Sequence, residues 1–190
     1  YPTRQSIRLR GYDYARAGLY FVTINTFRRA HLFGYIKNDE MYLSAYGRVV
    51  QDEWERTAQL RQDVVIDSFV VMPKHTHAII VIQDKPVGAQ RAAPATNTTD
   101  NNENGRNALR PYETTPKKCG ITPNNVAPRS LGAIVRAFKA AVTRQIRRLP
   151  DAPEGRLWHR NYHEHIIRDE RAYYTIRNYI LTNAQRWEQD

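Results

Sequence analysis

Residues 64–82 read VVIDSFVVMPKHTHAIIVI, and this stretch decides the fold. Two runs rich in β-branched and apolar residues, 64–72 and 76–82, are typical of strands. Pro73 and Lys74 separate the runs, because proline gives no backbone N–H to a sheet ladder. The sequence therefore predicts two consecutive strands with a break between them.

The second strand begins with two histidines, His75 and His77, on either side of Thr76. Residues i and i+2 of a strand point to the same face, so both imidazoles can reach one metal ion. Such a pair is weak evidence by itself, because most histidine pairs at this spacing are ordinary strand residues. The pair therefore needs partners from elsewhere in the chain.

Further elements are predicted on both sides of this stretch. Upstream lie a strand over 19–27, a small hairpin over 31–43 around Asn38-Asp39, and a helix from a Ser44 cap to about residue 60, with Val49, Val50, Trp54 and Leu60 toward the core. Downstream lie a helix over about 130–149 after Ser130, a strand over 163–167 and a last helix over about 169–187. The order β–α–β–β–α–β predicts an α+β fold, a ferredoxin-like antiparallel sheet with helices on one face, plus a C-terminal helix.

Composition narrows the function classes. The 190 residues carry a net charge of +10, and 41% of them are hydrophobic, which permits a core. The single cysteine, Cys119, excludes a disulfide framework and a cysteine-based zinc finger. No apolar run approaches the roughly 20 residues of a membrane helix. These features predict a soluble, cytoplasmic protein with a polyanionic partner such as nucleic acid.

The positive charge is concentrated between residues 129 and 148, which have a net charge of +6. Apolar residues at helical spacing form one stripe of this predicted helix, and the basic residues fall on its other faces or edge. We expect four of them to contact the phosphates of a nucleic acid: Arg136, Lys139, Arg144 and Arg147. An ordinary solvated helix face is the alternative.

Residues 84–128 differ in composition from the rest of the chain. They are polar and rich in proline and asparagine, and Cys119 lies among them. So long a polar stretch cannot bury a core. We expect a flexible insertion within a single domain that spans residues 1–190.

The last predicted helix offers two further chemical groups, Tyr179 and Asn183. Residues four apart on a helix lie side by side. An amide oxygen suits Mg²⁺ or Mn²⁺, and a phenol can act as a nucleophile in phosphoryl transfer. The unperturbed pKa of a phenol is about 10, so a metal ion would have to polarise the phosphate. The chain has 12 tyrosines, most of which are expected to pack.

Several blocks together make the chain resemble the REP-associated tyrosine transposases, a branch of the single-tyrosine HUH transposases. The likeness spans nearly the whole chain except residues 84–128. The blocks are RQSIRL (4–9), GYDY (11–14), YFVT (20–23), FVVMPKHTH (69–77), RSLGAIV (129–135), NYHEHIIRDE (161–170) and IRNYI (176–180) with Asn183.

The resemblance implies a mechanism. His75, His77 and Asn183 would hold one divalent ion, Mg²⁺ or Mn²⁺, at the scissile phosphate of single-stranded DNA. Tyr179 would attack and form a 5′-phosphotyrosine link, leaving a free 3′-hydroxyl. Attack by another 3′-hydroxyl would join strands.

The resemblance also implies a substrate, the REP elements, which are palindromes that fold into hairpins, together with a few bases on their 5′ side. The candidate readers of these bases are Arg8, Arg10, Tyr12 and Tyr14. The protein would act as a monomer or homodimer, associated with the nucleoid and not with a membrane.

Two departures from the family pattern are visible. Thr76 stands where the family has a hydrophobic residue, and Ala184 follows Asn183 where a proline is common. Both leave Tyr179 in place. Thr76 is β-branched and suits a strand.

Alternatives remain open at this point. His163-Glu164-His165 is a second histidine pair at strand spacing. Trp158, Arg160 and Tyr162 could stack on unpaired bases or could be an ordinary loop. A non-catalytic hairpin DNA- or RNA-binding protein, or a structural domain with incidental charge, could also have this fold.

Overall fold

The computed structural model describes Leu9, residues 11–84 and residues 129–189. Within these residues the elements are β1 (Gly18–Asn25), β2 (Gly34–Lys37), β3 (Glu40–Leu43), α1 (Ala45–Leu60), β4 (Val64–Met72), β5 (His75–Ile82), α2 (Leu131–Ile146), β6 (His163–Ile167) and α3 (Glu170–Leu181). Short 3-10 helices cover Phe27–Arg29 and Ala184–Gln189. The expected insertion, apart from Asp84, lies outside the described residues, as does Cys119. No helix in the described segments has the length and apolar character to cross a membrane.

Four strands form one antiparallel sheet, in the order β4-β5-β1-β6. The chain connects them as β1–α1–β4–β5–α2–β6, which is the predicted ferredoxin-like order. Strands β2 and β3 form a separate hairpin between β1 and α1. The α+β fold class is confirmed, including the C-terminal helix.

The two faces of the sheet pack against different helices. Tyr20, Val22 and Ile80 face the larger core, which α1 and α2 complete through buried residues such as Trp54 and Phe138. The opposite face holds a smaller cluster in which α3 covers the sheet; its members include Phe21, Ile79, Ile176 and Ile180. Because side chains alternate along a strand, β5 contributes to both clusters.

Each of the helices α1, α2 and α3 begins directly after a residue whose side chain caps it. Ser44 accepts a hydrogen bond from the Gly47 N–H at the start of α1, and Asp169 accepts one from the Ala172 N–H at the start of α3. Ser130 caps α2 as predicted. Such caps satisfy backbone donors that the first helical turn cannot pair internally.

Two predictions about the helices are wrong. Leu60 was expected in the core but is 68% exposed, because it is the final residue of α1 and lies at the groove between α1 and α2. The last helix was expected to continue to about residue 187, but α3 ends at Leu181 with Thr182 as its cap. The chain then continues as the 3-10 helix Ala184–Gln189.

Thr76, between the two histidines, has a structural role of its own. It points into the larger core, where its hydroxyl donates to the Val70 carbonyl at 2.8 Å and accepts the indole N–H of Trp54 at 3.0 Å. We expect Thr76→Val to lower the free energy of unfolding by about 1–3 kcal/mol, because the buried indole N–H then has no acceptor. Urea unfolding measures this.

Thr57→Val is the matched control, because the buried Thr57 hydroxyl donates only to the Glu53 carbonyl within its own helix. The account is contradicted if both valine variants lose the same stability. In the double variant Trp54→Phe/Thr76→Val, the combined loss should be smaller than the sum of the single losses.

Candidate active site

His75 and His77 lie on the face of the sheet that α3 covers. Each is 5% exposed, and their ring centroids are 4.5 Å apart. The alternation of β5 produces this arrangement, since Thr76 and Ala78 point to the larger core instead. The strand spacing thus brings both imidazoles to one place, at the start of β5.

Thr23 fixes the orientation of His77. It lies opposite His77 in the β1–β5 ladder, and its hydroxyl oxygen is 2.8 Å from Nδ1 of the ring. Burial, with a smaller contribution from His75, lowers the pKa of His77 to about 3. The ring is therefore neutral at physiological pH, which is the form of imidazole that binds metal ions.

The other ring nitrogen of His77 faces Tyr179. The Tyr179 hydroxyl oxygen lies 3.4 Å from Nε2, and the two rings meet edge to face. Phe21 of β1 stacks on His77 and also contacts the Tyr179 ring at its edge. The Tyr179 residue as a whole is half-buried.

Contacts made by other residues of α3 hold Tyr179 in this position. Ile180 is fully buried in the smaller cluster, and Ile176 packs against it one turn earlier. At the start of the helix, the Tyr173 hydroxyl bonds both carboxylate oxygens of Asp67 at 3.0 and 3.1 Å. Asp67 sits at an irregularity of β4 where the pairing with β5 shifts, between Ile66 and Ser68.

Asn183 does not lie on α3, although its four-residue spacing from Tyr179 predicted a position on the same helix. It lies beyond the Thr182 cap, so it is not one helical turn from Tyr179 on a continuous helix. The side chain is 1% exposed, and neither its Oδ1 nor its Nδ2 has a hydrogen-bond partner among the described residues. A buried amide without partners is unusual and leaves its oxygen available as a ligand.

A cavity of about 250 Å³ brings the central residues together. It is lined by Thr23, Asn25, Arg29, Lys74, His75, His77, His163 and Tyr179. Asn183 is not among these lining residues. In the described part of the chain, no group of three His, Cys, Asp or Glu side chains is arranged to hold a metal ion.

The second histidine pair lies on the same face as the first, on β6. His163 is opposite Thr23 and lines the cavity, whereas His165 is opposite Phe21 and does not. Both side chains are exposed. His163 therefore lies at the same cavity as Tyr179, while the Tyr179 hydroxyl contacts His77 of the first pair.

The predicted DNA-contacting residues on α2 and at its C-terminal cap lie on the other side of the sheet. Arg136, Arg144 and Arg147 are exposed, and the Arg147 guanidinium donates to the Gly155 carbonyl. Arg144 lines a basic groove of about 720 Å³ between α1 and α2, together with Arg56, Arg61 and Arg148.

Lys139 differs from these arginines because it is partly buried. Its ammonium donates to the carbonyls of His159 and Arg160, at 2.7 and 3.4 Å. Burial lowers the pKa of Lys139 to about 8. This side chain supports the loop before β6.

The N-terminal candidates are described only in part. Arg8 and Arg10 lie outside the described residues. Tyr12 and Tyr14 pack edge to face at 4.9 Å and lie against the larger core, with the Tyr12 hydroxyl 3.3 Å from that of Tyr20. Both tyrosine residues are half-buried.

Two aromatic residues considered for base stacking belong to the core. Trp158 packs between Phe33 and Phe138, and its indole N–H donates to the Lys139 carbonyl. Tyr162 is also buried in the larger core. Base stacking on these two rings is therefore excluded in this arrangement, whereas Arg160 of the same loop is exposed.

Comparison with known proteins identifies a relative. No family model matches the chain. A protein of Haemophilus influenzae, described as uncharacterized, is 36% identical over 187 residues, which is 98% of this chain and 91% of that protein. The chain belongs to the family of this Haemophilus protein. The relative's name gives no activity.

Solved structures with similar folds include one of a REP-associated tyrosine transposase bound to a REP hairpin. The present chain is 16% identical to this transposase, over 93% of the present chain and 71% of the transposase, with a TM-score of 0.53. A candidate transposase from Deinococcus radiodurans is 16% identical over 92% of this chain and 95% of its own, with a TM-score of 0.43. At this identity the first likeness shows a common fold.

Proposed function

We propose that this protein is a metal-dependent endonuclease and strand transferase that acts on single-stranded hairpin DNA of the REP type. One observation carries the proposal: the Tyr179 hydroxyl lies 3.4 Å from Nε2 of a buried, neutral histidine that has a second histidine beside it. The fold is that of a transposase whose structure contains a REP hairpin, which supports hairpin DNA as the substrate.

Tyr179 is the nucleophile in this proposal. Its oxygen forms a bond to the scissile phosphorus while the bond from phosphorus to the 3′ oxygen breaks. The phenol loses its proton to solvent, and the departing 3′ oxygen gains one, so that a 5′-phosphotyrosine and a free 3′-hydroxyl result. Attack by a second 3′-hydroxyl reverses the step and joins strands.

His75 and His77, with Asn183 as the third ligand, would hold Mg²⁺ or Mn²⁺. The ion would supply charge that polarises the scissile phosphate. His77 fits this role because its Nδ1 is bonded to Thr23, an arrangement that sets the ring orientation of metal-binding histidines. The buried amide of Asn183 fits because its oxygen has no partner among the described residues.

The exposed arginines on α2 and at its C-terminal cap would contact DNA phosphates, and the N-terminal segment with Arg8, Arg10, Tyr12 and Tyr14 would read bases 5′ to the hairpin. Phosphate contacts of this kind are independent of sequence and weaken as salt is added. The net charge of +10 supports such contacts but does not explain cleavage.

The test is a covalent-adduct assay with Mg²⁺ or Mn²⁺. The substrates are hairpin oligonucleotides with randomised bases on the 5′ side, labelled at either end. We expect the 3′-labelled piece to migrate with the protein on a denaturing gel and the 5′-labelled piece to be released with a 3′-hydroxyl. Chelation of the metal should abolish both products. Hairpin binding without any adduct would instead identify a non-catalytic binding protein.

A further inference from the structure

Two consecutive arginines after β1 have an unusual backbone conformation. Arg28 and Arg29 both have a φ of 55°, in the left-handed region that residues other than glycine rarely adopt. They belong to the 3-10 turn Phe27–Arg29. A non-glycine residue remains in this region only where its surroundings hold it, and such residues cluster at functional sites.

Hydrogen bonds made by residues in and beside the turn hold it next to the histidine pair. Thr26 is buried; its N–H donates to the Lys74 carbonyl at 2.9 Å, and its hydroxyl lies 2.9 Å from the same carbonyl and 2.8 Å from that of Ala30. The Phe27 N–H donates to the Leu157 carbonyl at 2.8 Å. Lys74 immediately precedes His75, so the turn is tied to the residue beside the histidine pair.

This turn places the Arg29 side chain at the cavity that His75, His77 and Tyr179 line. The side chain is exposed, and none of the described carboxylates forms an ion pair with it. The other cation of the cavity, Lys74, lies with its Nζ 4.5 Å from the centre of the Trp187 ring. Arg28 does not line the cavity, and its guanidinium lies over the Phe27 ring.

We propose that Arg29 binds a non-bridging oxygen of the scissile phosphate and neutralises the charge that develops as Tyr179 attacks. This inference rests on the proposed function and adds a residue to it. An arginine suits the role because its planar guanidinium can donate two parallel hydrogen bonds to a phosphate. The strained turn keeps the guanidinium close to the cavity before substrate arrives.

Arg29→Gly is the test variant and Arg28→Gly its matched control. Glycine adopts a φ of 55° readily, so neither variant should lower the melting temperature. We expect Arg29→Gly to slow adduct formation by about 100-fold, the size of effect seen when one donor to a developing charge is removed. Arg28→Gly should react within about 3-fold of the wild-type rate, because its side chain lies away from the cavity. Equal rates for the two variants would overturn the proposal.

A substrate whose scissile phosphate is replaced by a methylphosphonate separates charge neutralisation from a general loss of binding. The methyl group removes the negative charge, so the difference between wild type and Arg29→Gly should shrink to less than about 10-fold. An unchanged 100-fold difference would contradict the assigned role. If the wild type forms no adduct with any hairpin, the proposed function fails and this inference fails with it. If only the Arg29 comparison fails, the proposed function stands.

Discussion

Tyr179→Phe is expected to abolish the covalent protein–DNA adduct while hairpin binding stays within about 3-fold of wild type. Phenylalanine keeps the ring that contacts Phe21 and His77 and removes only the hydroxyl. The residue is only half-buried, and the 3.4 Å contact of its hydroxyl to His77 is long for a hydrogen bond, so the fold should lose little. Adduct formation on a denaturing gel, together with a binding titration, measures both quantities.

Tyr174→Phe is the matched control on the same helix. Tyr174 is 62% exposed and does not line the cavity, so this variant should form the adduct at the wild-type rate. An adduct that persists in Tyr179→Phe, or that disappears in Tyr174→Phe, would show that Tyr179 is not the nucleophile.

His77→Gln is expected to slow adduct formation by about 1,000-fold, because the proposed metal ion would lose a ligand and a Lewis acid contributes several kcal/mol to such a reaction. Glutamine is of similar size and can still bond to Thr23, so the buried site should remain packed. Calorimetric titration with Mn²⁺ gives a second readout, which should show weaker metal binding in the same variant.

The variant His165→Gln tests whether the second histidine pair, and not the first, binds the metal ion. His165 is exposed, lies on the same face of the sheet and does not line the cavity. We expect this variant to keep both metal binding and adduct formation. If instead His165→Gln loses both and His77→Gln keeps them, the metal site belongs to the second pair.

Most of the fold follows from local signals in the sequence. Ser44, Ser130 and Asp169 mark helix starts, and Asn38-Asp39 marks a hairpin turn, where both residues indeed have positive φ. Period-two alternation in β5 brings the two histidines to one face. These features depend on neighbouring residues, which is why the sequence alone predicts them.

The end of α3 could not be predicted in the same way. The residues after Leu181 are Thr182, Asn183 and Ala184, without the glycine or proline that commonly ends a helix. The expected neighbour relation between Tyr179 and Asn183 therefore assumed a continuous helix. The helix instead ends at Leu181, with Thr182 as its cap.

Thr23 and Arg29 were missed because their roles depend on the register between distant strands. Thr23 meets His77 only because β1 pairs with β5, a contact between residues 54 positions apart in the chain. Arg29 reaches the cavity through a turn whose left-handed φ has no glycine to signal it. A residue such as Trp158, with aromatic and basic neighbours, can equally pack in a core, and here it does.

The identity of the residue that carries the DNA tests the central claim most directly. After nuclease treatment, the wild-type adduct is digested with trypsin and its peptides are analysed by mass spectrometry. Cleavage after Arg177 and Arg186 gives a peptide of residues 178–186 with a single tyrosine, Tyr179, whereas Tyr173 and Tyr174 lie in the preceding peptide. The account predicts a nucleotide joined through its 5′-phosphate to the peptide 178–186. A nucleotide on any other peptide would contradict it.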